Sequence, residues 1–83
     1  MSETINSVVY DFVVEDFLYG DGEVHPDEDL IEAGVLDSMT FLRLIEFLHE
    51  RFGVEVNLGD LTMDRFSTIN RVVSYLIAQG ATV

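Results

Sequence analysis

The sequence predicts an all-α domain of four helices, with a long loop between the first and second helices and a short third helix. Three observations lead there. Four segments carry apolar residues near a 3.6-residue spacing or helix-start signals, and none alternates apolar and polar over a strand's length. Gly20-Asp21-Gly22 and Phe52-Gly53 punctuate the first two segments. The 83 residues are 48% apolar, which is room for one domain and one modest core.

The first helix is expected from about Thr4 to Leu18. Ile5, Val8, Val9, Phe12, Val13 and Phe17 form its apolar stripe, with Asn6, Asp11 and Glu15 away from it. Ser2 or Thr4 caps it, and Glu3 suits the positive helix start. Its valines give only fair helix propensity, so packing must hold it. The loop up to about Asp37 contains the only proline, Pro26. Leu30, Ile31, Val35 and Leu36 are expected to pin that loop to the core, because so long a loop in a small domain needs anchors.

The second helix is expected from Ser38 to about Arg51, with Phe41, Leu44, Ile45, Leu48 and Phe52 facing inward. Asp37 is placed to cap it through the amide of Met39 or Thr40. Gly53 is placed for a left-handed C-terminal cap. Val54-Glu55-Val56 reads as a short extended link. Asn57 to Asp64 holds turn formers, and one short helical turn is expected around Met63 to Phe66. The last helix starts near Ser67 or Thr68 and ends at Gly80. Ile69, Val72, Val73, Leu76 and Ile77 form its stripe.

Charge narrows the function. Sixteen acidic residues face four arginines and no lysine, for a formal net charge of −12. Nucleic-acid phosphates and anionic lipid surfaces would repel such a chain. Partners with basic docking patches would be steered to it. There is no cysteine, so disulfides and thiolate metal sites are excluded. The start, Met-Ser-Glu-Thr, has no basic region and no long apolar segment, so a cytoplasmic location is expected. Asp21, Glu23 and Glu32 fit three positions of a calcium loop. Pro26 stands where that loop needs glycine for its sharp turn, and no metal site is expected.

Ser38 is the candidate functional residue, a hydroxyl at the first turn of a helix. A serine nucleophile needs a base within hydrogen-bond reach. His49 lies eleven residues along the same helix, a rise of about 16 Å. His25 lies in the loop, with no nucleophile elbow or oxyanion loop beside it. Asp37, as a cap, points its oxygen at backbone amides. No enzyme activity is expected. As an attachment point, Ser38 sits near unpaired helix-start amides that suit a phosphate ester, on a junction another enzyme can reach. On these facts alone an ordinary helix-start serine is the simpler reading.

Leu30-Ile31-Glu32-Ala33-Gly34-Val35-Leu36-Asp37-Ser38-Met39 resembles the attachment motif of acyl carrier proteins. The likeness continues through Leu42 to Val56 and resumes at Phe66-Ser67-Thr68-Ile69-Asn70. It implies an acyl-carrier-like bundle over residues 1–83 acting as a single freestanding carrier. It implies a 4′-phosphopantetheine arm, from coenzyme A, on Ser38. The arm's thiol would hold an acyl or aminoacyl thioester. The implied partners are a phosphopantetheinyl transferase, a loading enzyme and downstream acyl-processing enzymes with basic patches. Neither nucleic acid nor membrane is implied, and a monomer is expected.

Met39, Thr40, Leu42, Arg43, Phe47 and Glu50 are the candidate partner-facing residues. Fatty-acid-type carriers usually have acidic residues at the places of Thr40 and Arg43. Arg43 reads either as an i,i+3 pair with Glu46 or as part of a different partner surface. The Leu-Asp-Ser-Met form is closer to D-alanyl carriers and to carriers of specialised biosynthetic pathways. The six phenylalanines fit a filled interior and a short or polar cargo. The alternative is an unmodified acidic helical module that binds a basic partner.

Overall fold

Helix α1, Ile5–Phe12, begins at a reciprocal cap. The Thr4 hydroxyl accepts from the Ser7 amide at 3.1 Å, and the Ser7 hydroxyl accepts from the Thr4 amide at 3.0 Å. The computed structural model describes residues 4–18, 20, 22–56 and 62–81. Thr4 is therefore the cap, while Ser2, Glu3 and Asp21 lie outside the described residues. The expected helical extent is reached, but its second half is wider than an α-helix. Val13–Phe17 forms a π-helical turn. No glycine or proline marks that change in the sequence. The wide turn carries Phe17 against Phe12, edge to face at 5.1 Å.

The loop to α2 is held near its middle. The Leu30 amide donates to the Ser67 carbonyl at 2.7 Å, and the Asn70 amide donates to the Pro26 carbonyl at 3.1 Å. The Asn70 side-chain amide also donates to the Asp27 carboxylate. Asp29 Oδ1 accepts from the amides of Ile31 and Glu32 and starts a tight turn. Gly34 closes that turn at φ 75°, a backbone angle that strains any side chain. The amides of Val35 and Leu36 then both donate to the Leu30 carbonyl. Leu30 and Leu36 are buried as expected, and Ile31 and Val35 are half-buried.

Helix α2, Ser38–Phe52, buries Phe41, Leu44 and Leu48. Gly53 ends it at φ 67°, its amide donating to the His49 carbonyl. Met63–Phe66 is a 3₁₀ turn, and α3 runs Ile69–Ala78 under a Thr68 cap. Thus the described residues hold three α-helices, one π-helical turn and one 3₁₀ turn, and no strand. The third of the four expected helices is that single turn, too short for an α-helical ladder.

Phe66 is fully buried and joins the layers. Its ring lies 5.6 Å from Phe41 of α2 and 5.1 Å from Tyr75 of α3. Val9 and Val13 complete the core from the first helix, and Ile69, Val72, Val73 and Leu76 from α3. Ile77 departs from the expected stripe and is 61% exposed. It sits about 100° around the helix from Leu76, beyond the edge that the other elements cover. No helix among the described residues is long and apolar enough to cross a membrane.

Burial separates two apolar residues of the α3 region sharply. Phe66→Ala is expected to cost about 3–5 kcal/mol through lost transfer energy and the cavity left behind. Ile77→Ala is expected to stay within about 0.5 kcal/mol. Urea unfolding followed by circular dichroism checks both.

Candidate functional site

The start of α2 is built by its neighbours rather than by Ser38. Asp37 Oδ1 accepts from the amides of Met39 at 2.9 Å and Thr40 at 3.0 Å. In return, Thr40 Oγ1 accepts from the Asp37 amide at 2.8 Å and donates to the Val35 carbonyl at 3.1 Å. This is a capping box with threonine in the place usually held by glutamate or glutamine. The Thr40 amide, more than any other group, holds the Asp37 carboxyl below its ordinary range. Desolvation opposes it, and the Met39 amide and Thr40 hydroxyl add to the lowering.

Two sequence expectations change here. Asp37 already takes two of the helix-start amides expected to await a phosphate. What remains for an anion at Ser38 is the helix's partial positive end. Thr40 is half-buried, and its hydroxyl serves the cap. Ser38 itself is exposed on the first residue of α2. Its hydroxyl is not needed to close the helix.

The other expected site residues divide into two groups. Met39 and Leu42 are 76% and 65% exposed, one apolar patch beside Ser38. Two large apolar side chains thus stand in water next to the candidate attachment point. Arg43, Phe47 and Glu50 lie farther along α2. Arg43 Nη2 meets Asp16 Oδ2 at 3.1 Å, so its ion pair crosses to the first helix and does not run to Glu46. The wide π turn brings Asp16 to that position. The Phe47 ring is half-buried and stacks on Phe12, with centroids 3.9 Å apart and planes 10° from parallel. Glu50 is exposed.

His25 Nδ1 accepts from the Asp27 amide at 3.1 Å within its own turn, and His49 is exposed on α2, eleven residues beyond Ser38. Among the described residues no three histidine, aspartate or glutamate side chains converge to hold a metal ion. Sequence reasoning missed Asp16, Phe12 and the Val35 carbonyl as supports of this face. Asp16 and Phe12 meet α2 only through tertiary packing, 27 and 35 residues from their partners Arg43 and Phe47. The Val35 contact was nearer to hand in the Asp-x-x-Thr spacing of the cap.

Among the described residues no base is hydrogen-bonded to the Ser38 hydroxyl, and the cap bonds of the helix start are made by its neighbours. Two measurements check this geometry. The folded Asp37 carboxyl has a lowered pKa, so its stabilisation is present above the unfolded value of about 3.9 and is lost as pH falls through the folded value. Asp37→Asn keeps a capping oxygen but does not titrate. Its stability deficit in urea unfolding should therefore shrink between pH about 6 and about 3. The Arg43–Asp16 pair has side chains 60% and 37% exposed. A double-mutant cycle with Arg43→Ala and Asp16→Ala should give no more than about 1 kcal/mol, falling toward zero in about 1 M salt.

Comparison with known proteins meets this geometry directly. Residues 12–76 match the family described as Phosphopantetheine attachment site. The D-alanyl carrier protein of Streptococcus suis (strain 98HAH33) is 32% identical over 77 residues, covering 93% of this chain and 91% of the relative. The D-alanyl carrier protein of Streptococcus sanguinis (strain SK36) is 38% identical over 61 residues, covering 74% and 77%. That of Streptococcus gordonii is 36% identical over the same length and coverage. A chain whose described elements are all helical, with an exposed serine at a capped helix start and a match over most of its length, belongs to the phosphopantetheine-binding carrier family, whose members carry a 4′-phosphopantetheine group and are not catalysts.

Proposed function

We propose that residues 1–83 form one carrier domain whose 4′-phosphopantetheine arm is attached at Ser38. The observation that carries this is the division of labour at α2. Asp37 and Thr40 close the cap, and the Ser38 hydroxyl stands exposed with no structural task. The site fits the group. Its hydroxyl is open to a modifying enzyme, and the apolar Met39 and Leu42 lie beside it. In the proposed reaction a phosphopantetheinyl transferase breaks the pyrophosphate bond of coenzyme A. A phosphodiester forms at Ser38 Oγ, adenosine bisphosphate leaves, and the serine proton passes to a base on the transferase. The bound arm supplies a thiol that holds cargo as a thioester.

This chain's own residues then present the arm. Gly34 and Leu36 fix the turn before α2, Asp37 and Thr40 stiffen its start, and Met39 and Leu42 offer partners an apolar surface. The proposed cargo is a small aminoacyl or acyl group. The aromatic filling around Phe41, Phe66 and Tyr75 supports this, as does the name of the D-alanyl carrier relatives. Thr40 in the cap and Arg43 in its ion pair support partners outside fatty-acid synthesis, in a specialised biosynthetic pathway. The partners are the transferase, a loading enzyme and downstream acyl-processing enzymes. The proposed setting is the cytoplasm, as a monomer whose charge of −12 opposes self-association.

Co-expression with a broad-specificity phosphopantetheinyl transferase, followed by intact-mass measurement, tests the assignment. Wild type should gain one phosphopantetheinyl group and Ser38→Ala none. No gain on wild type would sink the carrier assignment, and a gain on both would move the attachment away from Ser38.

A further inference from the structure

An open hollow of about 720 Å³ lies where α3 meets the 3₁₀ turn and the loop before α2. Its charged lining balances, Arg65 and Arg71 against Asp27 and Asp64. That balance is local, because the whole chain carries −12. We infer that this hollow binds a free α-amino acid with an apolar side chain, taken up as the zwitterion.

The positive pole is Arg71. Its Nη1 donates to the Asp64 carbonyl at 2.8 Å and to the Ser67 hydroxyl at 3.3 Å. Both acceptors are uncharged, so these bonds orient the guanidinium without neutralising it. Among the described residues no acid is ion-paired with Arg71, and its Nη2 and Nε are left to grip a carboxylate side by side. The negative pole is Asp27. Its Oδ1 accepts from the Asn70 side-chain amide, again an uncharged partner. The other oxygen can accept from an ammonium group. Asn70 and Arg71 are consecutive, so both poles sit at the first turn of α3.

The apolar wall follows along the same helix. Tyr75 is four residues beyond Arg71 and Ala78 three beyond Tyr75, on one face of α3 and about 6 to 11 Å from the poles. The half-buried Tyr75 ring is held edge-on to Phe66 at 5.1 Å. Charges at one end and an apolar wall at the other match the head and side chain of an amino acid. A simple anion is opposed by the net charge of the chain and by Asp27, and a simple cation by the two guanidinium groups. A zwitterion has no net charge for the −12 to repel, and it satisfies both poles. Bound there, it bridges the loop to α3 beside the Asn70 contacts.

The test is amide NMR on the full chain with L-leucine as the probe. Isocaproate, which lacks the ammonium group, and isoamylamine, which lacks the carboxylate, are the controls. Leucine should give saturable shifts centred on Asp27, Asn70, Arg71 and Tyr75, and each control should bind at least about fivefold more weakly. Arg71→Gln should weaken leucine binding about tenfold. Asp27→Asn, on a separate element and still able to accept from Asn70, should weaken it about threefold or more. No saturable shift by about 50 mM leucine, equal binding of either control, or unchanged binding by Asp27→Asn would each overturn the inference. Ser38 lies outside the hollow, so Ser38→Ala should bind leucine as wild type does, and a loss of binding there would also overturn it. None of these outcomes bears on the attachment at Ser38.

Discussion

The hydrogen bond from the Leu30 amide to the Ser67 carbonyl, 2.7 Å long, fixes where α2 begins. It ties the middle of the long loop to the junction between the 3₁₀ turn and α3. Next to it in sequence is Phe66, whose buried ring touches both α2 and α3. From Leu30 the chain makes one turn to Gly34, folds Val35 and Leu36 back onto the Leu30 carbonyl, and enters the Asp37 cap. Ser38 is thereby positioned by backbone bonds and buried leucines. Its exposure follows from this support, since the polar groups around it already have partners.

Two regions of α2 are distinguished by what their side chains leave unfinished. Near Ser38 the fold leaves apolar surface in water at Met39 and Leu42. Farther along it leaves charge, on a helix pair whose rings already stack face to face. An apolar contact gives affinity that salt barely changes, whereas the acidic stretch gives steering that salt weakens.

Most of the chain's helices were legible because their signals are local. Asp37, Gly53 and Thr68 act within a few residues of themselves, and each stands where its sequence context predicts. Leu30 and Leu36 were legible as loop anchors because isolated leucines in a long polar loop have little other use. What was not legible depends on distance in sequence. The partner of Arg43 lies in another helix, so local spacing suggested Glu46 instead. Ile77 continues the apolar period of α3, and only the edges of the neighbouring elements decide that it stays in water. Ser38 was readable as a helix-start residue from physics; its reading as an attachment point came only from the resemblance of the residues around it.

The π turn at Val13–Phe17 also bears on how this protein is compared with its relatives. A π turn amounts to one residue added to an α-helical turn. Residues before Val13 and residues after Phe17 therefore follow different helical phases. A comparison that keeps Ile5–Phe12 in step with a regular helix puts Asp16 out of step by one position, and with it the acid that Arg43 needs. Whether another carrier shares this cross-helix pair is thus a question about a single-residue gap in its first helix, before it is one about conserved charge.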